Sequence, residues 1–234
     1  MHEDIYGKAL LNFARGKNGG ILMLHTSYGD TEEMPIEIFF REDNELSELE
    51  EIALALCDGK VLDVGAGAGI HTLYLQKQGI QVEALDISKR SCECMKIRGV
   101  THPIHHDFFT LPPTSTYDTL LFLMNGIGLA GELKMLKKTL QQAEKLLNPG
   151  GQILFDSSNI QYLYEDYKIE KPKYYFGEIT YQYEYKGEKG IPFKWLFIDQ
   201  ESLIKIADEE NWLIQFLYED ENDQYLVRMT KREL

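Results

Sequence analysis

The residues whose types and spacing could do chemistry are an acid and three alternating glycines. Asp63 is followed by Gly65, Gly67 and Gly69. A glycine at every second position lets the backbone approach a ligand where any Cβ would collide. A helix that begins directly after such a loop also offers unpaired N–H groups to a polar ligand group. The pattern therefore predicts a loop that binds a polar ligand.

A buried strand and an amphipathic helix are predicted on either side of this loop. Val61 and Leu62 precede it and have the branched, aliphatic character of a buried strand. Apolar residues follow at helical spacing from Ile70 onward, and we expect Gly79 at the C-cap of that helix. The loop is thus predicted to connect a strand to a helix.

A second predicted strand, residues 80–86, ends on an acid. Asp86 follows Gly65 by about 20 positions, the interval at which a carboxylate accepts hydrogen bonds from ribose hydroxyls in nucleotide-binding folds. The alternative is a solvated carboxylate at a strand end. With the glycine loop in front of it, ribose binding is the favoured interpretation.

Spacing distinguishes two ligand classes that use a strand, a glycine turn and a helix. The dinucleotide fingerprint G-x-G-x-x-G, counted from Gly65, would need its last glycine at Ile70. The pattern D-x-G-x-G-x-G resembles instead the first motif of class I S-adenosylmethionine (SAM)-dependent methyltransferases. In that family the loop passes beneath the methionine end of SAM, and the acid, here Asp63, helps to orient it. Two alternatives stay open: an NAD(P)-dependent oxidoreductase with an atypical glycine loop, and a SAM-binding module without catalysis.

A second stretch carries the same resemblance. The Asn-Pro-Gly-Gly turn at 148–151 and the apolar strand after it resemble the L-x-P-G-G stretch of class I methyltransferases. The resemblance covers about residues 57–158, with a looser match at the C-terminus. It implies that Asp107, the acid after a third predicted strand at 103–106, binds the adenine amino group; the alternative is that this residue caps a turn. The implied cofactor-binding residues are Asp63, Gly65, Ala66, Gly67, Gly69, Asp86, Ile87, Asp107, Phe108 and Asn125.

Asn125 follows the continuous apolar run 118–124, which is typical of a strand covered on both faces. In the class I methyltransferases that this chain resembles, the corresponding position faces the transferred methyl group. It binds the substrate or SAM, or it only shapes the turn. The Asn/Asp-Pro-Pro-Tyr/Phe stretch of enzymes that methylate planar nitrogens is missing here, so that chemistry is not supported.

The order of the predicted elements gives the fold class. We expect an α/β fold with a doubly wound, mostly parallel seven-stranded sheet, a terminal antiparallel strand pair and an added aromatic β-hairpin. The hairpin is placed at about 174–198, where aromatic residues alternate at strand spacing. Its rings could form core, a homodimer interface or a wall of the acceptor pocket. Residues 45–234 are predicted to form the SAM-binding methyltransferase domain.

Residues 1–44 precede that domain and are predicted to form a lid that helps to select the acceptor. The alternative is a packed helix and strand that are needed for stability alone. No catalytic residue is fixed by spacing, and we expect no metal site. Candidate substrate-binding residues are His25, Tyr28, Phe40 and Arg41.

Composition excludes several partners. The formal net charge of −14 leaves no surplus of lysine and arginine to neutralise phosphates, so nucleic acid is not expected as a substrate. We expect a small-molecule acceptor. No apolar run is long enough to cross a bilayer, and the first residues lack the pattern of a signal peptide. With only three cysteines, reduced thiols and a cytoplasmic location are the expectation.

Overall fold

The structure is a computed structural model that describes residues 4–17, 20–29, 31–165 and 169–232. Residues 1–3, 18, 19 and 30 of the predicted lid lie outside the described residues. The helices are α1 (Ile5–Ala14), α2 (Glu48–Ala55), α3 (Ile70–Lys77), α4 (Lys89–Arg98), α5 (Leu133–Leu146), α6 (Tyr162–Glu165) and α7 (Gln200–Glu209). The strands are β1 (Leu22–Thr26), β2 (Thr31–Met34), β3 (Lys60–Val64), β4 (Gln81–Asp86), β5 (Pro103–His105), β6 (Tyr117–Phe122), β7 (Leu147–Ser158), β8 (Glu178–Tyr185), β9 (Glu188–Lys189), β10 (Phe193–Leu196), β11 (Trp212–Glu219) and β12 (Gln224–Lys231).

Seven strands form one mixed sheet in the order β11-β12-β7-β6-β3-β4-β5. The pairs β4–β5 and β6–β7 are parallel, whereas β12 runs antiparallel to both β7 and β11. The predicted seven-stranded sheet with its terminal antiparallel pair is therefore confirmed. The carboxyl ends of its parallel strands are the edge at which α/β folds bind ligands.

Two predicted boundaries differ from the observed ones. The helix after the glycine loop has its C-cap at Gln78, and Gly79, with φ of 79°, follows as the left-handed residue that ends it. The predicted turn at 148–151 lies within β7, because the pairing with β6 jumps from Tyr117↔Leu147 to Thr119↔Gln152. The turn therefore bulges out of the ladder without ending the strand.

A second, smaller sheet has the order β10-β8-β1-β2, with β9 paired to β8. The aromatic hairpin was predicted, but β1 and β2 were not. Leu24 pairs with Tyr183 and His25 pairs with Gln182 across the β1–β8 ladder. Because directly paired residues share a face and neighbours alternate, His25 projects from the face opposite to Tyr183.

The first of two units into which the chain divides comprises Met1–Ser47, Leu62–Leu111 and Thr180–Phe193. Its core joins the first helix to the glycine loop: the buried side chains of Ile5 and Leu10 pack in one cluster with Ala68. The N-terminal segment therefore contributes to the hydrophobic core of this unit. Whether it also acts as a lid stays a prediction.

The second unit comprises Glu48–Val61, Pro112–Ile179 and Lys194–Leu234. Helix α5 buries an apolar stripe that includes Leu136 and Leu140. Its first turn is capped from outside, because the Glu178 carboxylate accepts a 3.0 Å hydrogen bond from the Leu133 N–H. Among the described residues, no helix combines the length and apolarity needed to cross a membrane.

Candidate cofactor site

The glycine loop connects β3 to α3 in a backbone conformation that favours glycine. Gly65, Gly67 and Gly69 have φ angles of 74°, 56° and 81°, all in the left-handed region. Gly69 is the N-cap of α3. A Cβ at Gly65 would meet no atom within 4 Å, so this side of the loop is open to close approach. All three glycines are explained by backbone conformation, and the open side at Gly65 suits a ligand.

Most N–H groups of the loop already have acceptors within the protein. Those of Gly65 and Ala66 donate to the carbonyl of Leu85 at 2.8 and 3.1 Å. The Gly67 N–H donates to Oδ2 of Asp86 at 2.8 Å, and the Gly69 N–H donates to the carbonyl of Ala66 at 2.7 Å. The loop is thus held by the end of β4, and few of its amides remain for a ligand.

Asp86 ends β4, as predicted, and its carboxylate is 7% exposed. Oδ1 accepts a 2.7 Å hydrogen bond from the Ser88 N–H, and Oδ2 accepts the bond from Gly67. Burial raises the pKa of Asp86 to about 7, and these two hydrogen bonds oppose that shift. Each carboxylate oxygen keeps a second lone pair, so the group can still accept hydrogen bonds from a diol.

Asp63 lies at the other end of the loop and is fully buried. Its Oδ2 accepts a 2.6 Å hydrogen bond from the Thr72 hydroxyl on α3. Burial raises its pKa, while nearby His71 and the bonds from Thr72 lower it. In this geometry Asp63 ties β3 to the first turn of α3, and its contact with the methionine end of SAM stays a prediction.

Asp107 caps the turn that follows β5. Its Oδ1 accepts a 2.9 Å hydrogen bond from the Phe109 N–H, as the turn-capping alternative expects, and its adenine role stays a prediction. Phe108 is buried, whereas Phe109 is only half-buried with its ring 5.7 Å away. Ile87, directly after Asp86, exposes 70% of its surface, so this apolar side chain is available to a base face.

Asn125 lies in the second unit on a strained turn. Met124 and Asn125 both have positive φ, 59° and 53°, which is rare for residues other than glycine. The Asn125 N–H donates to both carboxylate oxygens of Asp156 at 2.9 Å, and Nδ2 donates to the Leu196 carbonyl at 3.2 Å. Its Oδ1 is buried and has no hydrogen-bond partner in the described chain. Asn125 therefore shapes the turn, and its contact with ligand stays a prediction.

The four candidate substrate residues belong to the first unit, and three of them have polar partners there. His25 Nε2 lies 2.8 Å from the Glu184 carboxylate, and the Tyr28 hydroxyl donates to Glu32. The guanidinium of Arg41 donates to backbone carbonyls, one of them that of Ile38 at 2.8 Å. The ring of Phe40 packs 4.5 Å from that of Phe13. The structure thus does not gather these four side chains into one cluster.

Tyr6, which the sequence did not predict as a site residue, lies at the glycine loop, and Tyr183 stacks on it. A Cβ at Gly67 would lie 2.8 Å from the hydroxyl oxygen of Tyr6 on α1. The Tyr6 ring stacks on that of Tyr183, with centroids 5.2 Å apart. The alternation of Tyr181, Tyr183 and Tyr185 was a signal for an aromatic face, but the pairing with α1 is a long-range contact that periodicity does not predict.

Comparison with known proteins decides which family this site belongs to. A family model described as a methyltransferase domain matches residues 61–151. The solved structure of a SAM-dependent methyltransferase from Bacteroides fragilis, in complex with S-adenosyl-L-homocysteine (SAH), has a TM-score of 0.90 and 38% identity. The comparison covers 97% of this chain and 94% of that one. The chain belongs to the class I SAM-dependent methyltransferases.

Two further comparisons with this methyltransferase are more distant. The cypemycin N-terminal methyltransferase of Streptomyces sp is 29% identical over 106 residues, which are 44% of this chain and 43% of that protein. The chain thus matches less than half the length of that relative. The CcbJ methyltransferase of Streptomyces caelestis has a TM-score of 0.62 at 14% identity, over 81% of this chain and 94% of that one, and shows similarity of fold alone.

The described residues of the methyltransferase fit an adenosine ligand. The Asp86 carboxylate can accept from ribose hydroxyls, and the open side of Gly65 allows close approach of a ligand. No group of three or more metal-binding side chains was found in the described part of the chain. The carboxylate and the open loop are the features that suit an organic methyl donor.

Proposed function

We propose that this methyltransferase transfers the methyl group of SAM to a small-molecule acceptor, and that the first unit holds the cofactor. The observation that carries the proposal is the hydrogen bond between the Gly67 N–H and Asp86, which brings the glycine loop and the strand-end carboxylate together. A loop open to close approach and a carboxylate able to accept from a diol are the two features that an adenosine ligand needs.

Each predicted cofactor residue of the first unit receives a role in this proposal, whereas the ligand contact of Asn125 in the second unit stays a prediction. Asp86 accepts hydrogen bonds from the ribose hydroxyls. Ile87 covers the adenine together with either Phe108 or Phe109. Asp107 accepts from the adenine amino group with the carboxylate oxygen that does not bind the Phe109 N–H. Gly65 allows the methionine end to approach the backbone, and Asp63 holds the strand and helix around the loop. Ala66, Gly67 and Gly69 form the backbone of the loop that the ligand approaches.

The chemistry asks the protein mainly for positioning. When bound, SAM supplies an electrophilic methyl carbon on a sulfonium, and an acceptor lone pair displaces a neutral thioether from it. The residues around the loop orient the donor and exclude water, since alignment of the reacting atoms lowers much of the barrier. A base is required only if the acceptor carries a proton at neutral pH.

The acceptor that the charges favour is an amine. A protein with net charge −14 attracts cations and repels anions. The Tyr28 ring lies beside Glu32, whose carboxylate accepts a hydrogen bond from the Tyr28 hydroxyl, and both aromatic faces and carboxylates attract cations. The name of the cypemycin N-terminal methyltransferase describes transfer to an amino terminus and supports the same class of acceptor. Transfer to the nitrogen then requires that the ammonium first release a proton to solvent.

A panel of matched acceptors tests this function. The purified protein is incubated with methyl-labelled SAM and small primary amines, each beside its N-acetylated form and a phenol of similar size. We expect SAH release and labelled product with amines and none with the acetylated forms, because acetylation removes the nucleophilic lone pair. Labelled phenol ethers would contradict the amine assignment, and failure to bind SAM or SAH would contradict the cofactor assignment.

A further inference from the structure

Tyr6 at the glycine loop and Tyr183, which stacks on it, carry hydroxyls that have no role in the fold itself. The Tyr6 hydroxyl lies against Gly67, and the ring of Tyr183 stacks on Tyr6 at an interplanar angle of 24°. No hydrogen bond joins either hydroxyl to another described residue. Both residues are half-buried, so each hydroxyl can reach a ligand, whereas phenylalanine would pack the same ring without offering a polar group. The hydroxyls therefore point to a polar ligand.

The positions of both tyrosines are fixed by their surroundings. Asp4 caps α1 by accepting from the Gly7 N–H at 2.8 Å, and it also accepts from the Ser88 hydroxyl at the start of α4. Tyr183 is held by its pairing with Leu24 in β1 and by the ring of Phe193, 5.1 Å away. The two hydroxyls are thus preorganised, which reduces the entropy lost on binding.

The loop itself is poor in free donors for an anion. Four of its five amides, those of Gly65, Ala66, Gly67 and Gly69, already donate within the protein. A carboxylate that lies at this loop must therefore take hydrogen bonds from other groups. Burial raises the pKa of both Tyr6 and Tyr183, and the nearby Asp86 carboxylate raises them further, so both phenols remain protonated donors at neutral pH.

We propose that the hydroxyls of Tyr6 and Tyr183 bind the carboxylate at the methionine end of SAM. This inference rests on the proposed function, since it requires that SAM lie at the glycine loop. It assigns α1 and β8 a direct part in cofactor binding. Tyr6 thereby makes the N-terminal helix a part of the cofactor site as well as of the core.

The test compares two ligands that differ by this carboxylate alone, SAM and decarboxylated SAM. Their dissociation constants are measured by calorimetry for the wild type and for Tyr6→Phe and Tyr183→Phe, which keep the rings. Loss of one hydrogen bond to a charged acceptor should weaken SAM binding roughly tenfold or more and change the binding of decarboxylated SAM less than about twofold. Tyr185→Phe, two residues along β8 in the core, is the matched control and should leave both constants unchanged.

The outcomes separate this inference from the proposed function. A wild type that binds neither ligand contradicts the proposed function and with it the inference. A wild type that binds both, with phenylalanine variants that lose affinity for the two ligands equally or for neither, leaves the proposed function intact and overturns the carboxylate assignment. A selective loss for SAM supports it, because a general defect in packing would not distinguish the two ligands.

Discussion

The backbone N–H of Gly67 donates a 2.8 Å hydrogen bond to the carboxylate of Asp86. The bond connects the loop after β3 to the end of β4, two positions that the sequence separates by a helix. It makes the shape of the loop depend on the same carboxylate that is proposed to accept the ribose hydroxyls. Binding of the ligand and conformation of the loop are therefore coupled through Asp86.

The raised pKa of Asp86 predicts a pH dependence of stability. Between the usual value of 3.8 and about 7, the folded state keeps a proton on Asp86 that the unfolded state releases. Stability from this group is therefore lost as the pH rises through that window, at up to about 1.4 kcal/mol per pH unit. We expect the free energy of unfolding of the wild type, measured in urea, to fall relative to that of Asp86→Asn between pH 5 and pH 7.

Asp118 is the matched control with the opposite sign. Hydrogen bonds from the Lys60 N–H and from Asn148 lower its pKa, so its contribution is present at neutral pH and lost as the pH falls. Relative to Asp118→Asn, the wild type should gain stability as the pH rises through the acid range. A constant difference between wild type and Asp86→Asn at all pH values would show that Asp86 titrates normally.

Gly67→Ala should impair SAM binding more than stability. The substitution places a Cβ 2.8 Å from the Tyr6 hydroxyl and requires φ of 56° from a residue other than glycine, a cost of about 1–2 kcal/mol. Gly79→Ala, with φ of 79° and no atom near its Cβ, carries the backbone strain without the contact. Equal SAM affinity in the two variants would show that the contact with Tyr6 is unimportant for binding.

Gly128→Ala should destabilise the second unit. A Cβ at Gly128 would lie 2.1 Å from Nε1 of Trp195, so the indole must move. Overpacking of this kind typically costs 1–3 kcal/mol, measured as a lower midpoint of thermal or urea unfolding. In a Trp195→Leu background, Gly128→Ala should lower stability less than it does in the wild type. Additive effects of the two substitutions would contradict the steric explanation.

The net charge of −14 predicts no useful affinity for DNA or RNA. Fluorescence anisotropy with labelled oligonucleotides at physiological salt should show no binding at micromolar protein, because the protein lacks the excess cationic side chains that neutralise phosphates. Tight binding with a steep dependence on salt would reveal a concentrated basic face that the total charge conceals.

The sequence predicted what depends on local spacing. The glycine loop, the strand that ends on Asp86 and the terminal strand pair all follow from motifs or short periodicities, and each is present in the structure. It did not predict β1, because five residues without clear alternation acquire their strand conformation by pairing with β8. The position of Tyr6 was missed for the same reason, since α1 reaches Gly67 only after the chain has folded.

The same packing changes how the lid hypothesis can be tested. Ile5 and Leu10 are buried in the core of the first unit, so deletion of residues 1–40 would remove core as well as cover. Loss of folding after such a deletion is now the expected result and would identify the core role. Point substitution at Tyr6 separates the two roles, because it leaves the buried apolar face of α1 intact.

The central claim is that the carboxylate of Asp86 holds the ribose of SAM, and calorimetric titration of SAH into wild type and Asp86→Ala tests it most directly. At pH 8, where Asp86 is ionised in the folded protein, the wild type should bind SAH. Loss of the hydrogen bonds to the charged acceptor should weaken binding by roughly 1.5–3 kcal/mol, which is about 10- to 150-fold, in a variant that still unfolds cooperatively. Wild-type affinity in Asp86→Ala would contradict the claim.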